Sequence, residues 1–212
     1  LEVLKDRHAR AAALCRKVHR LREPCSCAGM SCAEVRVAEM LDWWNKGLTA
    51  DDAATLGMLL SKWLPKLLIL RLKCSGFGDA GVQALCEGLG PGAAPSLHHL
   101  GLGFSKCGPA GAEALAAALG RGALPKLKLL DLAYNPIGKQ GLAALAAPLR
   151  NLTALKELYV AVCEIGDEGM ASLFANLGKD DFKALNRLLL NGNGITDADC
   201  AMLSRSLDAG AF

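Results

Sequence analysis

The sequence predicts an α/β solenoid, a stack of copies of one strand–helix unit, and three observations predict it. The first is a change of period within residues 127–149. Leu130 and Leu132 face one way and Leu129, Asp131 and Ala133 the other, as side chains do on a strand. Leu142, Leu145 and Leu149 then follow the spacing of one helix face, and Asn135, Ile137 and Gly138 turn the chain between the two. The second is recurrence. The leading leucines Leu67, Leu97, Leu127, Leu155 and Leu185 are separated by 30, 30, 28 and 30 residues. The third is that turn and helix-start residues recur in the same columns. A single strand and helix cannot bury their apolar faces alone, so such a unit needs copies beside it.

Taken in chain order, the first element is a helix over residues 1–23, closed by Pro24. Leu4, Ala11, Leu14, Cys15, Val18 and Leu21 form its stripe, and basic residues crowd the rest. This segment holds seven Lys/Arg against three acidic residues, or +4, and leaves 17 basic against 18 acidic side chains elsewhere, or −1. Two readings follow: a basic arm for phosphate or an acidic membrane, or a cap shielding the first hydrophobic edge of the stack. The second is preferred, because a solenoid must cover its ends.

Cys25, Cys27 and Cys32 come next, with Cys15 and His19 one helix back. Three thiols and an imidazole could ligate zinc. Their spacing matches no common finger and the second paired half is absent, so the reading is a turn of small residues with no metal. Nine cysteines in all, an odd number scattered over strands, turns and helices, predict reduced and mostly buried thiols in an intracellular, cytoplasmic protein. Charges interrupt every apolar stretch, so neither a signal peptide nor a spanning segment is predicted.

A worn unit then begins at about Ala38, with Leu41 and Trp43 in the strand, Thr49 and Asp52 at the helix start, and Leu56 and Leu60 on the helix. Five clear units follow. Their strand leucines are Leu70/Leu72, Leu100/Leu102, Leu130/Leu132, Leu158/Val160 and Leu188/Leu190. A turn column reads Ser75, Ser105, Asn135, Cys163 and Asn193, and a buried column reads Phe77, Cys107, Ile137, Ile165 and Ile195. Gly78, Gly108, Gly138, Gly166 and Thr196 are the predicted N-caps. Asp79, Pro109, Lys139, Asp167 and Asp197 follow them; proline suits a first helical position and aspartate the positive end of the helix dipole. Thr196 with Asp199 is predicted to form a capping box, as Thr49 does with Asp52. Gly81, Gly111, Gly141 and Gly169 are expected where neighbouring units pack closely.

The recurring pattern LxxLxLxx(N/S/C)x(I/F/C)G resembles the leucine-rich repeats of the ribonuclease-inhibitor type, over roughly Ala38 to Leu207. The resemblance implies a right-handed α/β horseshoe segment with a parallel sheet on the concave face and helices outside. Residues 1–37 would form an N-terminal helix and cysteine-containing cap, and residues 38–212 a leucine-rich repeat domain of one degenerate and five clear repeats. Only Asn135 and Asn193 keep the asparagine of the turn column. Ser75, Ser105 and Cys163 are expected to bond neighbouring turns more weakly or not at all.

Proteins of this family bind partners on the concave sheet. Here its side chains include Trp44, Arg71, Lys73, His99, Asp131, Glu157, Tyr159, Arg187 and Asn191, with Phe104 and Tyr134 in the column beyond. Small residues floor the middle, and Trp44, His99, Phe104, Tyr134 and Tyr159 rim it, as in a protein-binding hot spot. Basic Arg71 and Lys73, acidic Asp131 and Glu157, and basic Arg187 alternate along the face, which suits a mixed-charge protein surface better than a uniformly negative nucleic acid.

Catalysis finds no support in the sequence. His98 and His99 point to opposite sides of a strand, and the stretch Gly101–Lys106 lacks the full spacing of a phosphate loop. No cofactor and no small-molecule ligand are expected. The first functional reading is therefore a non-catalytic interaction module or scaffold subunit that binds protein. Two others are a regulator resembling the Ran GTPase activator, and a nucleic-acid or membrane-surface adaptor using residues 1–23. The strand around Leu188–Leu190 is left as an open edge, to be covered by a partner or by more chain.

Overall fold

The computed structural model describes residues 9–14, 35, 37–174, 177, 181–197, 201 and 204. Six short strands, β1 (Met40–Asp42), β2 (Ile69–Arg71), β3 (His99–Gly101), β4 (Leu129–Asp131), β5 (Glu157–Tyr159) and β6 (Arg187–Leu189), make one parallel sheet in sequence order. Helices α1 (Ala50–Lys62), α2 (Gly78–Glu87), α3 (Pro109–Gly120), α4 (Gly138–Arg150) and α5 (Gly166–Phe174) connect them. The register is the expected one: Leu41, Leu70, Leu100, Leu130, Leu158 and Leu188 stand on successive rungs.

The first five of those leucines, the helix leucines Leu56, Leu60, Leu85, Leu115, Leu145 and Leu173, and the turn residues Cys107, Ile137, Cys163 and Ile165 form one continuous core between sheet and helices, with Leu188 partly buried against it. Each helix packs on the next. Strands lie about 4.8 Å apart and packed helices about 8–10 Å apart, so the stack curves with the sheet inside. Among the described residues the inner face carries no helix, and six rungs make it roughly 24 Å across.

The start of α1 is built locally. Thr49 and Asp52 form the predicted capping box: Thr49 N–H donates to the Asp52 carboxylate at 2.8 Å, and the Thr49 hydroxyl accepts from Asp52 N–H at 3.3 Å. The glycine column needs a correction. Gly108 is an N-cap, but α2, α4 and α5 already begin at Gly78, Gly138 and Gly166. Those three enter the helix with φ of +64°, +66° and +60°, a conformation that glycine adopts without a Cβ clash. Gly108 precedes Pro109, whose ring drives it into the extended region at φ −95° and ψ −164°.

Asp79 does more than face its own helix dipole. Its Oδ1 accepts from Gly108 N–H at 2.5 Å and Gly111 N–H at 2.9 Å, so it caps the next helix in the stack. Asp167 does the same for Thr196, accepting from its N–H at 3.1 Å and its hydroxyl at 3.2 Å. Asp199, the expected partner of Thr196, lies outside the described residues.

The second glycine column meets its expectation in part. A Cβ on Gly141 would come within 2.8 Å of Ala112 on the preceding helix, but its closest clash, at 2.6 Å, is with Ile137 of its own turn. The tightest helix approach is instead between Gly57 of α1 and Gly88 just beyond α2.

The turn column separates as its chemistry requires. Asn135 donates to the carbonyls of Leu102 (2.9 Å) and Leu132 (2.8 Å) and accepts from the N–H groups of Ser105 and Cys107 (3.0 Å each), tying its unit to the one before. Asn193 repeats this with Val160, Leu190 and Cys163 at 2.7 Å. Ser105 reaches the preceding unit's Leu72 carbonyl only at 3.3 Å, and Ser75 bonds only its own unit's Leu72 carbonyl, at 2.7 Å.

Leu14 joins the core and Ala11 is half-buried, as expected of the predicted first helix; Leu4, Cys15, Val18 and Leu21 of that stripe lie outside the described residues. So do His19, Cys25, Cys27 and Cys32. Among the described cysteines, Cys86, Cys107 and Cys163 are buried free thiols; burial pushes them up to about 12, 12 and 11. No described helix is long and apolar enough to cross a membrane.

Candidate protein-binding face

The parallel register sorts the inner face into rows across the strands. One row reads Met40, Ile69, His99, Leu129, Glu157, Arg187, and the next Asp42, Arg71, Gly101, Asp131, Tyr159, Leu189. Ladder bonds continue past the strand ends. Asn45 N–H donates to Lys73 carbonyl, Cys74 to Gly103, Phe104 to Ala133, Tyr134 to Ala161 and Val162 to Asn191, each at 2.8–3.0 Å. The row they begin, Asn45, Cys74, Phe104, Tyr134, Val162, Gly192, lies throughout in the left-handed region, with φ from +52° to +74°.

That conformation is uncommon for an aromatic residue and strained for a β-branched one such as Val162. It turns these side chains out at the carboxyl edge of the sheet. Phe104 and Tyr134 stack with centroids 4.1 Å apart and planes at 11°, and both remain about half exposed, at 50% and 46%. Stacking shields one face of each ring and leaves the other to water. Val162 continues this apolar edge by one rung.

The middle of the face holds a shallow depression of about 280 Å³ lined by Asp42, Trp44, Arg71, Lys73, His99, Asp131 and Tyr159. Its charges are matched within the fold. Arg71 pairs with Asp42 at 3.2 Å, on directly adjacent rungs. Lys73 reaches from β2 across β3 to the buried carboxylate of Asp131 at 2.5 Å. The path passes over Gly101 of β3, where an added Cβ would sit in ordinary contact, 3.5 Å from Lys73 Cε and 3.7 Å from Arg71, and a longer side chain would stand in the way. Asp131 also accepts from Ala133 N–H at 3.0 Å.

Beyond the depression, Tyr159 hydroxyl donates to Glu157, and Arg187 approaches both, at 3.3 Å from the hydroxyl and 3.5 Å from the carboxylate. The Tyr159 hydroxyl and the Glu157 carboxylate hold the Arg187 guanidinium above its ordinary value. His99 lies half-buried in the floor rather than on a rim. Burial first, then Arg71 and Lys73, lower its pKa below 6.5 against the opposing pull of Asp131 and Glu157, so it is neutral at pH 7.

The structure thus brings Trp44, Arg71, Lys73, His99, Asp131 and Tyr159 together and sets Glu157 and Arg187 beside them. Phe104 and Tyr134 form a separate aromatic edge, and Asn191, on the last rung, lines neither. The column alignment puts Asp42 and Gly101 on the concave face, but the binding residues expected from sequence leave out Asp42. Opposite charges in one column of neighbouring units were the available signal for Asp42.

Comparison with known families agrees with this geometry. Residues 64–86, 123–146 and 151–174 match the model described as Leucine Rich repeat. The chain carries leucine-rich repeats. The solved structures similar to it include leiomodin-1 actin-binding site 2, at 14% identity and TM-score 0.58, over 76% of this chain and 88% of that one. Another is the tropomodulin C-terminal domain of Caenorhabditis elegans, at 9% identity and TM-score 0.52, over 94% and 92%. Likeness at such identity shows the leucine-rich repeat fold and nothing finer. A search of curated proteins gives no match.

Proposed function

We propose that this chain is a non-catalytic protein–protein interaction module, or a scaffold subunit, that binds a partner protein through the concave sheet and its aromatic edge. The unit length of 28–30 residues supports the ribonuclease-inhibitor type of repeat. The observation that carries the reading is the Phe104–Tyr134 stack, held half exposed on the face that also carries the depression lined by Trp44, Arg71, Lys73, His99 and Tyr159. Rigid aromatics next to shallow pockets are where interface energy concentrates. The ion pairs of Arg71 and Lys73 and the hydrogen bond from the Tyr159 hydroxyl to Glu157 fix these side chains in advance, which lowers the ordering cost of binding.

Leiomodin-1 actin-binding site 2 names an actin-binding element on this fold, so actin is the first purified probe. The test is capture by immobilised wild-type protein and by the Phe104→Ala/Tyr134→Ala variant, from actin solutions and from lysate, with bound protein identified by mass spectrometry. A partner held by the wild type and lost by the variant supports the reading. A partner held equally by both contradicts it.

A further inference from the structure

The opposite, amino edge of the sheet carries a second feature. Just before the strands, one column runs Glu39, Leu68, His98, Lys128, Lys156, Asn186, each N–H bonded to the preceding member's carbonyl at 2.7–2.8 Å. Lys66 and Lys126 stand two residues upstream of Leu68 and Lys128. All four lysines are exposed, and none has an ion pair or side-chain hydrogen bond among the described residues. This contrasts with the inner face, where Arg71, Lys73 and Arg187 are all paired. The charges acting on His98 are both cations, Lys128 and Lys126.

The run occupies four rungs, from Lys66 to Lys156, and therefore about 14 Å. It stops at Glu39 on one side and Asn186 on the other. A long polyanion gains from a basic stripe without ends, and this stripe has two. Apart from His98 its side chains that carry charge are all lysine, with no arginine to clamp phosphates. An extended peptide covers 14 Å in four or five residues, at about 3.3 Å each.

We propose that this edge docks a short acidic segment of a partner protein, four to five residues rich in Asp or Glu, separately from the aromatic edge. The probe is fluorescently labelled pentaglutamate, with pentaglutamine as its uncharged control, followed by anisotropy at low salt. The variants are Lys126→Glu/Lys128→Glu/Lys156→Glu and, at the other edge, Lys106→Glu; circular dichroism and thermal melting check that each folds. Wild type and Lys106→Glu should bind pentaglutamate alike, weakening as salt rises, and the triple reversal should bind at least tenfold more weakly. Absence of wild-type binding, or equal binding by the triple reversal, overturns the proposal. Preferential binding of a 15-base-pair DNA duplex or of phosphatidylserine vesicles, lost in the same variant, overturns it too and assigns the edge to those surfaces.

Discussion

Asn135 uses both ends of its side-chain amide, and that sets it and Asn193 apart from the serines and cysteine of their column. Replacing it with alanine leaves two buried N–H groups and two carbonyls short of a partner. Asn135→Ala should therefore lower stability in urea unfolding by about 3 kcal/mol, while Ser75→Ala, which loses one bond within its own unit, should cost about 1 kcal/mol. Equal losses would mean that the amide is not a tie between units. His99 gives a prediction with a definite sign. Its pKa is lowered below 6.5 in the folded state, so as pH falls the unfolded chain takes up the proton first. The stability due to a neutral His99 is intact above about 6.5 and is lost as pH falls through the folded value. Melting temperature should drop further between pH 7.5 and 5.5 in the wild type than in His99→Gln, and an equal drop would contradict the burial argument.

At the level of elements, much was legible in the sequence. The leucine columns give the register because a one-residue slip would turn Leu70, Leu100 and Leu130 out of the core. The capping box at Thr49 was legible because its two residues are three apart in sequence. Asp79 was not, because its partners lie on the next unit, 29 and 32 residues away. Asp79→Ala should destabilise the protein by about 1 kcal/mol, and native-state hydrogen exchange should place the loss at the start of α3 rather than α2. Faster exchange confined to α2 would return Asp79 to the role read from sequence alone. The glycine entries to the helices show the same limit: Gly78 and Gly108 share a column, yet a proline after only one of them sends their backbones apart.

Across the whole molecule, the curved sheet presents two surfaces that the column alignment placed but did not connect, and a lysine edge that it did not single out. The charges Arg71, Lys73, Asp131 and Glu157 were legible as alternating, and their pairing was not, since it depends on a lysine passing over a glycine on the strand between. The aromatic edge was legible from the column preceding the turn, but its stacking and exposure follow from a left-handed backbone that no residue type in Phe104 or Tyr134 announces. The most direct measurement of the central claim is the affinity of a purified, captured partner for wild type and for Phe104→Ala/Tyr134→Ala, by calorimetry on samples matched in melting temperature. The account predicts a loss of about 2 kcal/mol or more, ~30-fold, in the variant. An unchanged affinity would contradict it.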